Sequence, residues 1–163
     1  MNNPRNLPLP PRRSLVAALC GAALASALPA WAARPITVEG TTFSGDITLA
    51  GVPLQLNGVG LRAVAWLKGY AAGLYLPRKA STPAQVLAQA GAKRLQLRML
   101  QEVEAEEFVK ALHKGVERNT PAPDAARLAE RIARFDGVVR SLGKLKKQEV
   151  IDLDFLPGRG LQL

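Results

Sequence analysis

Thiols and imidazoles are nearly absent from this 163-residue chain, which carries one Cys and one His. A lone Cys excludes an intramolecular disulfide framework and a Cys-rich zinc site. A lone His excludes an imidazole-based metal cluster, so neither a metal nor another cofactor is expected. Acidic residues are also in deficit, 13 against 22 Lys+Arg, for a formal net charge of +9. Such an excess suits an anionic partner and says nothing about fold. Nucleic acid is not expected to be that partner. Only 5% of residues are aromatic, and they are not interleaved with the basic ones as a stacking groove requires. Apolar residues are plentiful instead. With 48% hydrophobic residues the composition is that of a globular protein, and the length suffices for one domain with a real core.

Residues 1–32 contain no acid at all, and their only charges are Arg5, Arg12 and Arg13. An apolar stretch, Leu15–Leu28, follows, and Ala30-Trp31-Ala32 then places small residues either side of Trp31. Positive, apolar, then A-x-A is the order of a cleaved secretory signal. The stretch has 14 residues, short of the roughly 20 that a spanning helix needs. A cleaved signal is therefore preferred to a retained anchor, with no stable membrane span after the cut. Arg12-Arg13 also fits a twin-arginine route. Cys20 follows Leu19 rather than a small residue, so lipidation is not expected. Cleavage after Ala32 leaves residues 33–163, free of Cys, with 19 basic and 13 acidic residues. A cysteine-free mature chain suits a periplasmic or secreted protein.

Strand punctuation dominates to about Leu76. Ile36–Val38 and Ile47–Leu49 are short β-prone runs, and Ala50-Gly51 is turn-like. Val52–Leu56 ends at Asn57-Gly58, the strongest short hairpin signal. Val59–Leu67 and Tyr70–Leu76, separated by Lys68-Gly69, are apolar at nearly every position, as in a sheet covered on both faces. Thr82-Pro83 then predicts a short helix ending near Gly91, from an N-cap hydroxyl and a proline at the first helical position. From Lys93 to Leu100 the period returns to two, predicting a half-exposed strand.

Glu102–Arg118 carries the helical stripe Ala105, Phe108, Leu112 and Val116, with acids in its first turn and bases later, as the helix dipole favours. A second helix is predicted from about Asp124 to Leu142, stopped by Gly143. Glu149–Phe155 is a last strand, followed by the turn Pro157–Gly160. The chain stops at Leu163 as another strand begins, so the domain is expected to lack its C-terminal part. The order implies an α+β fold, with helices packed to one side of a mostly antiparallel sheet.

Few residues invite chemistry. His113 lies off the apolar stripe and reads as a solvated helix histidine. Glu104, Glu106 and Glu107 suit dipole compensation better than acid–base catalysis, and Lys144, Lys146 and Lys147 read as a basic turn. No helix follows Gly58 and Gly60, so they form no phosphate loop. Arg62 is different, as the only charge between Asp46 and Lys68. Val64 and Trp66 share its parity, and an unpaired guanidinium on an apolar face is costly. With Tyr70 it could form a carboxylate or phenolate receptor. The alternatives are that Arg62 pairs with Asp152 or Asp154, or extends to the surface.

Leu56-Asn57-Gly58-Val59-Gly60-Leu61-Arg62 followed by Lys68-Gly69-Tyr70-Ala71-Ala72-Gly73-Leu74-Tyr75-Leu76-Pro77 resembles the chalcone isomerase-like family, best in its bacterial exported branch. Further matches are Glu106-Glu107-Phe108-Val109 after the strand at 93–100, Val150–Asp154, and Pro157-Gly158-Arg159-Gly160. Together they span about residues 36–163. The resemblance implies an open-faced β-sandwich, a large antiparallel sheet layered with helices, that continues past Leu163. The family contains true isomerases, which close a chalcone onto its enone, and non-catalytic relatives that bind fatty acids.

In the enzymes the Arg of the G-x-G-x-R segment is joined by a Thr on the following strand, a Tyr early in the long helix and an Asn seven residues later. Here Arg62 matches the first, Tyr70 stands for the Thr, Phe108 for the Tyr and Gly115 for the Asn. The Arg62–Tyr70 pair is instead similar to the fatty-acid-binding branch, in which both residues hold the ligand carboxylate. The resemblance thus implies a small amphipathic or carboxylate-bearing ligand at Arg62 and Tyr70 and no catalytic residues. A chalcone–flavanone isomerase-type lyase and a structural or partner-binding periplasmic protein are the alternatives.

Overall fold

A computed structural model describes residues 34–64 and 67–163; the expected signal segment 1–32 and Trp66 lie outside the described residues. Strands β1 (Ile36–Val38) and β2 (Thr41–Phe43) form a small hairpin. A six-stranded antiparallel sheet follows from β3 (Asp46–Leu49), β4 (Val52–Val64), β5 (Leu67–Leu76), β6 (Lys93–Met99), β7 (Val150–Leu156) and β8 (Gly160–Gln162). Its spatial order is β8-β7-β6-β5-β4-β3. Three helices, α1 (Pro83–Ala88), α2 (Ala105–Asn119) and α3 (Ala122–Ser141), and a two-residue strand pair, Val103–Glu104 with Lys144–Leu145, complete the described elements. This is the expected antiparallel α+β layout.

Local chemistry explains most element ends. Ala50 and Gly51 both have positive φ (49° and 78°) and join β3 to β4 in the two-residue hairpin that suits strand twist. Thr82 caps α1, its Oγ1 accepting from Gln85 N at 3.2 Å, with Pro83 at the first turn. Gly143 stops α3 at φ 67°, and its carbonyl accepts the Ala105 N–H at 2.8 Å. The start of α2 and the end of α3 are thereby tied together.

Asn57-Gly58 departs from expectation. It is no hairpin but a register shift inside the continuous strand β4, between Leu56 and Gly58. Asn57 drops out of the ladder, and its Oδ1 accepts the Ala80 N–H at 2.7 Å. The bulge also lets Lys79 Nζ donate to the Leu56 carbonyl. A tertiary anchor has replaced a turn. Lys68-Gly69 is likewise not the connection expected there. Both residues lie in β5, where Lys68 pairs with Ala63 and Leu67 with Val64.

Paired residues of an antiparallel sheet share a face, so the register divides the sheet cleanly. One face carries Ala71, Gly73 and Tyr75 on β5 and is covered by Phe43, in a core that includes Leu54 and Leu56. Arg94, Gln96 and Arg98 belong to this face, and Gln96 is buried. The half-exposed strand expected at 93–100 therefore has its polar side covered too, because the N-terminal hairpin lies over it. Leu95, Leu97, Ile151 and Leu153 occupy the opposite face, with Tyr70, and line a space shared with Phe135 and Val139.

Gly73 shows how closely the first layer packs. A Cβ there would lie 2.5 Å from Phe43 Cδ1, so no side chain fits without moving the ring. Gly73→Ala is expected to lose about 1–3 kcal/mol, as overpacked cores do. Phe43→Leu in the same chain should recover part of that loss in a denaturant titration. An unchanged midpoint for Gly73→Ala would contradict the packing described.

Candidate functional site

Arg62 and Tyr70 are direct cross-strand partners on β4 and β5, and so project from one face. The open register that sequence left for Tyr70 is settled in favour of proximity. Arg62 is exposed, which corrects the expectation of a guanidinium on a doubly covered strand. Leu61 and Ala63 are exposed as well. Val64 and Trp66, whose parity supported that expectation, have side chains outside the described residues. Among the described residues Arg62 makes no ion pair or side-chain hydrogen bond.

Tyr70 is half-buried and stacks on Phe108, with ring centroids 5.3 Å apart and 24° between the planes. Three adjoining spaces meet at this pair. One, of about 360 Å³, lies between Arg62, Leu67, Tyr70, Val103, Glu107 and Phe108. A second, of about 380 Å³, is bordered by Arg62, Tyr70, Lys114, Gly115, Arg118 and Asn119. The third, of about 470 Å³, runs inward between the sheet and the helix pair, and is walled largely by Leu, Ile, Val and Phe side chains. Tyr70 and Ala111 border all three. The result is an apolar chamber, open to solvent along Leu142, Leu161 and Leu163, with a charged mouth, the division a long amphiphile needs.

The four positions singled out by resemblance thus come together: Arg62, Tyr70, Phe108 and Gly115 all border these spaces. Gly115 leaves a real opening, since a Cβ there would meet nothing within 4 Å. Lys114 and Arg118 were not anticipated. Their signal was present as helical spacing, because Phe108, Ala111, Gly115 and Arg118 follow one another at three- and four-residue steps along one side of α2.

Asp152 and Asp154 lie on the other face and are not available to Arg62. Arg94 holds both, through Nε to Asp154 Oδ1 at 2.6 Å, Nη2 to Asp154 Oδ2 at 2.6 Å and Nη1 to Asp152 at 2.9 Å. The Asp154 hydrogen bonds raise the Arg94 pKa further. Gln96 Nε2 donates to Asp152 at 2.9 Å, and Arg98 Nε to Gln96 Oε1 at 3.1 Å. Burial pushes the neighbouring Tyr75 phenol above its ordinary pKa, and its hydroxyl donates to the Ser44 carbonyl at 3.1 Å. This ladder is a structural polar network under the hairpin.

Other candidates resolve similarly. His113 is partly exposed but not merely solvated, since its Nε2 lies 2.7 Å from Oδ2 of the buried Asp136 on α3. Glu106 faces Arg140, which holds its carboxyl below the usual range. Lys144 is no free turn residue. It belongs to a two-residue strand (Lys144–Leu145) paired with Val103–Glu104, and contacts Glu102 and Glu104, which raise its pKa. None of these groups borders the Arg62–Tyr70 spaces.

No curated protein matches the sequence. Among solved structures, a fatty-acid binding protein of Arabidopsis thaliana is similar in fold. It is 17% identical, with a TM-score of 0.58 over 78% of this chain and 76% of that one. A family model described as chalcone isomerase-like matches residues 35–163, the same stretch that forms the hairpin, sheet and helices. With sheet order, helix placement and the Arg62-bearing strand all inside that match, the chain belongs to the chalcone isomerase-like family.

Proposed function

We propose that this chain is an exported, non-catalytic binder of a small amphiphile bearing a carboxylate, with a fatty acid as the model ligand. One observation carries the reading: an Arg62 without an ion partner among the described residues, in register with Tyr70 and at the mouth of an apolar chamber. A carboxylate there would accept the planar two-bond fork of a guanidinium, with the tail in the chamber. The fatty-acid binding of the Arabidopsis relative supports the same ligand class. Native mass spectrometry of protein recovered from cells should show an adduct with the mass of a long-chain acid, reduced in Arg62→Ala. A ligand-free spectrum, with no uptake of added palmitate, would refute the reading.

Isomerase activity is the contrasting outcome. Phe108 stacks on Tyr70 at the helix position where the enzymes carry a Tyr, and it can neither donate nor accept a hydrogen bond. General acid–base groups contribute about 10²–10⁴-fold where present. Ring closure of a chalcone should therefore run at the spontaneous rate with this protein added. Saturable turnover that vanishes in Arg62→Ala would instead make it an enzyme.

Export rests on residues 1–32, whose charge order and Ala-Trp-Ala motif are those of a cleaved signal. Among the described residues no helix is long and apolar enough to cross a membrane. Intact-mass analysis of periplasmic material should give a mature N-terminus at Ala33. Met1 retained on a membrane-bound product would contradict this.

A further inference from the structure

The mouth holds more positive charge than one carboxylate can neutralise. Lys114 and Arg118 lie one turn apart on α2 and border the same 380 Å³ space as Arg62 on β4. Among the described residues none of the three makes an ion pair. A like-charge pair at this helical spacing is destabilising by itself, and a third cation facing it adds to the repulsion. The last-turn position of Arg118 suits the helix dipole, but that accounts for neither Lys114 nor Arg62. Glu107, the one acid on this side of α2, borders the neighbouring space and is held by Lys110 at 2.7 Å. Asn119 borders the cationic space with its Nδ2 turned to the Gly115 carbonyl at 2.8 Å.

We infer that Lys114 and Arg118 form a second anion subsite beside Arg62 and Tyr70, so that the preferred ligand is an amphiphile whose head group carries two negative charges, as a phosphate monoester does. This rests on the amphiphile-binding reading above and names its head group. One acidic oxygen would meet the Arg62 fork and another the α2 pair, while the chain enters the apolar space through the gap beside Gly115. Two exposed cations each contribute modestly and in a salt-dependent way, so the preference is electrostatic and graded.

The test compares monododecyl phosphate, laurate and inorganic phosphate by calorimetry at pH 8 and low salt, where the monoester is dianionic. Monododecyl phosphate should bind about tenfold more tightly than laurate. Lys114→Gln with Arg118→Gln should remove that preference while weakening laurate less than about threefold. Arg131→Gln with Lys147→Gln, a charge-matched change at two exposed residues that border none of these spaces, should remove none of it. Inorganic phosphate should bind far more weakly than the monoester. Laurate bound in an Arg62-dependent manner, with the monoester no tighter, overturns the second subsite and leaves the carboxylate reading intact. Failure of both amphiphiles to bind overturns both. Inorganic phosphate binding as tightly as the monoester would make the site one for a free anion and remove the amphiphile from the proposal.

Discussion

Arg94→Ala is expected to destabilise the domain by about 3 kcal/mol, near the lower end for breaking a buried ion pair, and to lower the melting temperature by roughly 10 °C. The cost lies mainly in what stays behind. Asp154, with 16% of its side-chain surface exposed, and the more accessible Asp152 would lose their common partner. A carboxylate left without its hydrogen bonds in such a place is far costlier than the pair was favourable. Arg94→Met combined with Asp154→Leu should therefore recover much of the loss, since a well-packed apolar pair replaces an ion pair at little cost. The network faces the N-terminal hairpin and not the chamber, so amphiphile affinity should stay within about twofold for any Arg94 variant that remains folded at the assay temperature. Equal stabilities of wild type and Arg94→Ala in urea would show that these contacts contribute nothing.

Arg62→Ala is expected to do the opposite, lowering affinity for a fatty acid while leaving stability within about 0.5 kcal/mol, as for an exposed residue without partners. A hydrogen bond to a charged group is worth about 1.5–3 kcal/mol net, which corresponds to roughly 10- to 150-fold in affinity. Lys at this position should restore only part of the binding, because an ammonium lacks the planar fork. Tyr70→Phe removes one neutral donor and should cost about 0.5–1.5 kcal/mol of binding, since the stack on Phe108 survives. A large fall in stability with unchanged titration would mean that Arg62 serves the fold.

Period and punctuation made most elements legible. The alternation at 93–100, the apolar stripes of both long helices, the Thr82-Pro83 start and the Gly143 stop are local signals, and each is realised within a few residues. Asn57-Gly58 misled because its turn propensity is local, whereas the bond from Ala80 N to Asn57 Oδ1 joins residues 23 apart. A strand pairing that continues through the bulge outweighs the turn. The site was half legible. Arg62 stood out as a lone charge in an apolar segment, and resemblance pointed to Tyr70, Phe108 and Gly115. The Arg94 ladder, the link from His113 to Asp136 and the Lys114–Arg118 side of the mouth each depend on the meeting of distant segments. Residue spacing within one segment carries no information about them.

The most direct measurement is the affinity difference between a long-chain fatty acid and its methyl ester, taken on wild type and on Arg62→Ala. The two ligands share a tail and differ in the charge that the fork would bind. If Arg62 receives the carboxylate, wild type should favour the acid by about 10- to 150-fold, and the variant should keep only the small part of that preference that Tyr70, Lys114 and Arg118 supply, with ester affinity unchanged. A wild-type protein that binds both alike, or a preference for the acid that survives undiminished in Arg62→Ala, would contradict the account.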